Sequence, residues 1–286
     1  MSLDGVWKFC PAFTELKVNQ RFMEPDFDPS NPLAAPAREG DVGWVEPDFD
    51  DSGWLDIVVP STWNKAFPDL WSYEGYGWYR RSVAVPARWR GCRVEFTCDA
   101  SNYSTALYVN GQRAGMHEGG YVPFSIPIHT LLKFGKTNVI AASVENLPRP
   151  DRCPGGQFGW WNYGGMYRST GLLVTDTVYI AETAVATDLG RDAASLVIHS
   201  AVIREEPENR ALQIRALLKD ARGRKVSARF CPLEFQGNRA TVSIELEVGD
   251  PKLWSPEEPN LYHLSLELRE GKTRARDRVH MRVGMR

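Results

Sequence analysis

Between Ala240 and Val248 the chain alternates without a break: Val242, Ile244, Leu246 and Val248 are apolar, and Thr241, Ser243, Glu245 and Glu247 are polar. A period of two sends the two sets to opposite faces and predicts a β-strand with one buried face. The pattern returns in Tyr262–Leu268, with Tyr262, Leu264, Leu266 and Leu268, and in Arg278–Val283, with Val279, Met281 and Val283. Earlier in the chain, Arg93–Cys98, Ala106–Asn110 and Asn138–Val144 are short β-rich runs. Asn110-Gly111 marks a hairpin turn, because both residues tolerate positive φ. The one helix-like stretch, Ala211–Lys219, is short and lies among strands, so a strand is expected there too.

Two stretches break the pattern. Residues 11–50 hold six prolines and alternate Asp with Phe, as in EPDFDPSNP. They read as a long surface excursion, most mobile at Asn31–Gly40. Asn146–Gly159 carries three prolines and three glycines and leads into GWWNYGGMYRSTG, Gly159 to Gly171. Composition then shifts: nine of the ten tryptophans lie before residue 162. Two domains are therefore expected, 1–178 and 179–286, both all-β. Many short strands with Gly/Pro turns predict a sandwich in each.

Charge and cysteine content narrow the function classes. A net charge of −2 argues against a nucleic-acid footprint. No apolar run reaches the ~18 residues of a membrane span. Met1–Gly5 opens straight into VWKF with no export signal, which favours the cytoplasm; a removed leader would make the protein periplasmic or secreted. Five scattered cysteines without a CxxC pair predict free or packed thiols rather than a disulfide framework. The histidines show no zinc spacing, so no metal or cofactor is expected. Asn102-Tyr103-Ser104 is a glycosylation sequon of a length common by chance.

Candidate chemistry is sparse. None of the 36 carboxylates forms a pair that spacing alone nominates, and no G-x-S-x-G elbow or phosphate-binding glycine loop occurs. Trp44, Trp54, Trp63, Trp71 and Trp78 are expected mostly in the core. Trp160 and Trp161 would face opposite ways in an extended segment, so one could be buried and the other presented. Packing between layers and contact with a sugar both remain open for Trp160-Trp161-Asn162-Tyr163. His117 beside Glu118 is read as a structural hydrogen-bonding residue, because adjacent side chains need not face each other. Arg168, after Gly164-Gly165, is read as a buried arginine holding loop carbonyls or a carboxylate.

Several segments together resemble the N-terminal half of glycoside hydrolase family 2, the β-galactosidase, β-glucuronidase and β-mannosidase group. They are LDGVWKF at the start, DDSGWLDIVVPSTW (Asp50–Trp63), GYGWYRR (Gly75–Arg81), LYVNGQRAGMHEGGYVPF (Leu107–Phe124), WNYGGMYR, PKLWSPEEPNLY (Pro251–Tyr262) and the terminal RVGMR. The anchors span nearly the whole chain in the family's order. The resemblance implies a jelly-roll, galactose-binding-like sandwich followed by an immunoglobulin-like one. In the family a (β/α)8 barrel follows the last anchor; the ~250 residues it needs are not in this sequence.

Retaining hydrolysis needs two carboxyl groups ~5–5.5 Å apart, and in the family both glutamates belong to the barrel. The resemblance thus implies no catalytic residue here: a non-catalytic portion of a β-glycosidase, inactive alone, whose partners are the missing barrel and, through the parent's active site, a carbohydrate. It places Glu74, Trp161 and Asn162 as candidates for the sugar rim, and Trp160, Tyr163 and Met166 as candidates for the barrel-facing surface. The sequence departs from the family at Gly159, where galactosidase- and glucuronidase-like members carry an aspartate. Gln157 and Phe158 precede it, and Asp151 is the nearest acid upstream. A stand-alone carbohydrate-binding module is the alternative, and a structural or adhesion pair of sandwiches a third.

Overall fold

The computed structural model describes residues 1–12, 43–153, 159–190, 193–205, 210–271 and 274–286. The stretch expected to be most mobile, Asn31–Gly40, lies outside them, as do Gln157 and Phe158. The chain divides into two compact units, Met1–Val174 and Thr175–Arg286.

The first unit contains β1 (Gly5–Pro11), β2 (Leu55–Val59), a one-turn helix α1 (Trp63–Ala66), β3 (Tyr76–Ala84), β4 (Arg93–Cys98), β5 (Ser104–Val109), β6 (Gln112–Glu118), β7 (Phe124–Pro127), β8 (Thr137–Glu145) and β9, which starts at Thr170. Six strands form one sheet in the order β2-β1-β3-β8-β5-β6, and β7-β4-β9 form the other. Between them lies a core of Trp7, Phe9, Trp63, Tyr79, Phe96, Leu107 and Ile140, all essentially inaccessible. Asn110 (φ 51°) and Gly111 (φ 86°) form the two-residue turn between β5 and β6, as the twist of a hairpin requires. Asparagine also serves there through its side chain: Oδ1 accepts from Val139 N at 3.1 Å and Nδ2 donates to Leu131 O at 2.9 Å.

The second unit contains β10 (Val178–Leu189), β11 (Ala193–Arg204), β12 (Leu212–Lys219), β13 (Lys225–Pro232), β14 (Arg239–Gly249), β15 (Tyr262–Glu270) and β16 (Arg274–Val283). They form sheets β10-β11-β14 and β13-β12-β15-β16, the three-plus-four arrangement of immunoglobulin-like sandwiches. Ile244, Leu246 and Val248 of β14 face Leu264, Leu266 and Leu268 of β15 through one core. Each such side chain contributes about 2 kcal/mol by leaving water. The helix-like stretch is strand β12: Leu212, Ile214, Ala216 and Leu218 alternate inward. All five cysteines carry free thiols. Cys98 is buried in β4, and burial pushes its thiol up to about 12. Among the described residues no helix is long and apolar enough to cross a membrane.

Candidate functional site

The site is built on the return loop that ends in Trp160–Tyr163. Its backbone is held by four asparagines. Asn64, on α1, accepts from Gly164 N at 2.9 Å and donates to the carbonyls of Leu70 and Tyr73, both at 3.0 Å. Asn146 accepts from Gly75 N at 2.8 Å and donates to Asn162 O at 2.6 Å. Asn102 donates to Asn162 Oδ1 at 2.8 Å and to Tyr163 O at 2.7 Å. Asn162 closes the web by donating to Asn146 O. An amide side chain donates and accepts at once, so each can tie two backbone segments that share no ladder. Beneath them Arg152 grips Glu145 through two parallel bonds of 2.7 and 2.8 Å, both side chains nearly inaccessible. The Arg152 guanidinium also lies 4.7 Å from the centre of the Tyr103 ring.

The glycine pair answers a packing demand. A Cβ on Gly164 would stand 1.9 Å from Cζ2 of Trp63, so the backbone lies flat on that buried indole. Gly165 has φ +120° and would bring a Cβ to 2.6 Å from the Tyr79 hydroxyl. The chain thus crosses the core's largest ring and leaves its own aromatics outside. Trp160 is 56% exposed, Trp161 40% and Tyr163 42%.

Trp71, from the loop after α1, is 51% exposed and meets Trp161 with ring centroids 4.9 Å apart at 66°. Glu74 lies on the same loop, at the surface. Burial around its carboxyl group pushes its pKa up, and the neighbouring Asn162 amide pulls the other way. The structure therefore brings Glu74, Trp161 and Asn162 together and adds Trp71, which its sequence context had grouped with the core tryptophans. Asn162 is committed to Asn102 and Asn146, so it positions the site. Asn64, Asn102 and Asn146 were missed, because lone asparagines carry no periodic or spacing signal.

Two expectations are corrected. Met166 is fully buried and belongs to the first unit's core, not to a barrel-facing surface. Once past Gly165 the chain re-enters the sandwich, and Met166 O accepts from Ser61 N at 3.1 Å. Arg168 is exposed, with its guanidinium 6.0 Å from the Tyr167 ring centre. Among the described residues of this unit Arg93 is buried and so, at 2% exposed, is Arg80. It bonds Asp51 Oδ2 at 3.0 Å, Glu46 O at 3.0 Å and the Trp44 carbonyl. His117 lies 3.2 Å from Gly119 O and stacks on Phe124 with centroids 4.2 Å apart. Glu118 turns instead toward Arg152, 3.6 Å away. Gly159 is exposed, and a Cβ there would meet no atom within 4 Å. Asp151 is exposed as well. Among the described residues no three His, Cys, Asp or Glu side chains gather as a metal site would need.

Residues 1–176 match the family model for the sugar binding domain of glycosyl hydrolases family 2, and residues 178–286 match a second model of that family. The chain belongs to glycosyl hydrolase family 2. Its curated relatives include a β-glucuronidase of Felis catus, 27% identical over 299 residues that cover 93% of this chain and 41% of the relative. A β-galactosidase of Thermoanaerobacter pseudethanolicus is 26% identical over 228 residues, 77% of this chain and 30% of the relative. Among solved structures, a Bacteroides uniformis β-glucuronidase superposes with a TM-score of 0.82 at 25% identity, over 100% of this chain and 32% of that one. The chain spans 28–45% of the length of the curated relatives it matches. What it shares with them is the family's sugar-binding domain and the sandwich that follows.

Proposed function

We propose that this chain is the non-catalytic N-terminal portion of a retaining β-glycosidase of the galactosidase or glucuronidase kind. Its two sandwiches brace a catalytic barrel, and the Trp71–Trp161 face with Glu74 rims the barrel's sugar pocket. The observation that carries this reading is the exposed aromatic wall of Trp71, Trp160, Trp161 and Tyr163. Half-exposed tryptophans fixed on a web of buried hydrogen bonds suit a surface that a ligand or another domain covers. Glu74 supplies a rim carboxyl group where Gly159 lacks one. Retaining hydrolysis needs two carboxyl groups ~5–5.5 Å apart flanking the scissile bond. Among the described residues of the site Glu145 is held by Arg152 and Glu74 stands at the rim, so the chain supplies shape and the barrel the chemistry.

The test is hydrolysis of p-nitrophenyl β-glucuronide and β-galactoside by the 286-residue chain. The expected result is no release above background. Turnover at about 1 s⁻¹ or faster would overturn the reading. Reading the gene beyond codon 286 gives the complementary check, with an eightfold strand–helix repeat expected.

The exposed Trp71–Trp161 pair also supports a second reading, a carbohydrate-binding module that acts alone. Calorimetry against neutral oligosaccharides separates the two: a Kd tighter than about 1 mM, some 4 kcal/mol, favours the module.

A further inference from the structure

The outer face of the sheet β13-β12-β15-β16 is predominantly cationic. Lys225, Lys219, His263 and Arg282 stand in register across all four strands, and all four are exposed. Strands are ~4.8 Å apart, so this row spans about 14 Å. No carboxylate stands in it. Two rows further along the same face, Arg215, Glu267 and Arg278 are in register. There Glu267 is already shared by Arg215 at 3.3 Å, Arg278 at 3.3 Å and Arg269 at 2.6 Å. The outward positions of these two rows thus hold five Lys or Arg side chains against Glu267 alone. On the opposite sheet the outward positions hold Glu182, Asp188, Glu245 and Glu247. The net charge of −2 averages over this separation and hides it.

Like charges directly opposite one another across strands are destabilising. Lys225 and Lys219 form such a pair, and it costs stability until an anion settles over it. We propose that this face binds an anionic polysaccharide, a chain whose carboxylate or sulfate groups recur along its length and lie across the Lys225–Lys219–His263–Arg282 row.

Two other occupants fit less well. A nucleic acid gains much of its single-strand affinity from bases stacked on aromatic rings, and Phe230 is the aromatic residue in these rows. The acidic face of a second copy is partly spent, since Glu182 is bridged by Arg239 at 2.9 Å. Stacking unlike faces would also give an open-ended chain of subunits rather than a closed dimer.

The experiment titrates the 286-residue chain with fluorescently labelled polygalacturonate, dextran sulfate, neutral dextran and duplex DNA. Binding of one or both anionic glycans at about 25 mM NaCl is expected, weakened at least about tenfold at about 250 mM. The two arms tell carboxylate from sulfate recognition. Lys219→Ser with Arg282→Ser is expected to weaken binding about tenfold or more. Arg88→Ser with Arg90→Ser, exposed cations of the other unit, removes the same charge and is expected to change it less than about twofold. The proposal is overturned by no glycan binding at low salt, by equal losses in the two double variants, or by DNA bound as tightly as the glycans. Self-association that excludes the glycan overturns it in favour of a second copy. Melting midpoints of both variants, expected no lower than the parent's, show that each loss is one of binding. The face and the tryptophan wall belong to different units, so failure here leaves the glycosidase reading standing.

Discussion

Trp161 meets Trp71 with their ring centres 4.9 Å apart and their planes at 66°, although 90 residues separate them in sequence and each keeps about half its surface in water. The contact joins the loop after α1 to the return loop. It makes one aromatic surface from two segments whose backbones are held by Asn64 and Asn146. Aromatic pairs in edge contact favour this geometry, so the wall is set before any ligand arrives.

The wall predicts a binding phenotype without a folding one. In a polypeptide that carries the barrel, Trp161→Ala and Trp71→Ala should each raise KM about tenfold with a smaller change in kcat, as loss of uniform binding does. Thermal midpoints should stay within a few degrees of the parent's. A midpoint falling as far as for a core tryptophan would show that the pair is packing.

Gly164→Ala should be among the most damaging single changes. The added methyl falls 1.9 Å from a ring atom of Trp63, and that ring is fully buried. Overpacking of this kind costs about 3 kcal/mol or more, a melting shift of about 6–12 °C for a unit of this size. Gly159→Ala, where no neighbour lies within 4 Å, should be neutral by the same measurement.

Glu74 has its carboxyl pKa raised by burial, with the Asn162 amide opposing the rise. A raised folded-state pKa means a contribution to stability that is whole below the unfolded value and is lost as pH rises through the folded one. Glu74→Gln should therefore match or exceed the parent in thermal midpoint at pH 7. The two should converge below about pH 4, where the carboxyl group is protonated in both states. A clear loss at pH 7 that persists at low pH would contradict this.

In the second unit, burial alone would raise the Asp176 pKa. Its bonds from Arg276, at 2.7 and 2.6 Å, and from Val178 N, at 3.3 Å, more than offset this and hold the pKa below the usual carboxylate range. The sign is the reverse of Glu74: the stabilisation is present above about pH 4 and is lost as pH falls through the folded-state value. Asp176→Asn should cost about 1.5–3 kcal/mol at pH 7. The difference should shrink steadily in urea titrations taken from pH 4 downwards.

What the amino-acid sequence determined by itself was everything that repeats at short range. Alternation from Val242 to Val248 and from Tyr262 to Leu268 specified strands with one buried face, because side-chain direction in a strand follows residue parity alone. Asn110-Gly111 specified the hairpin through local backbone freedom. The ordered anchors specified the family. Only the tertiary structure decided the site. Whether Trp71 and Met166 face water or core depends on where a loop crosses the sandwich, and one buried indole, Trp63, sets that path by leaving no room for a Cβ at Gly164. Which of Arg80 and Arg168 is buried was decided likewise: Arg80 points from β3 to carbonyls some 30 residues away, while Arg168 ends in solvent. The basic row across β13, β12, β15 and β16 follows the same logic. Its four residues are unremarkable in the linear chain and become one feature only through strand register, a long-range relation set by how sheets pair and not by any local preference.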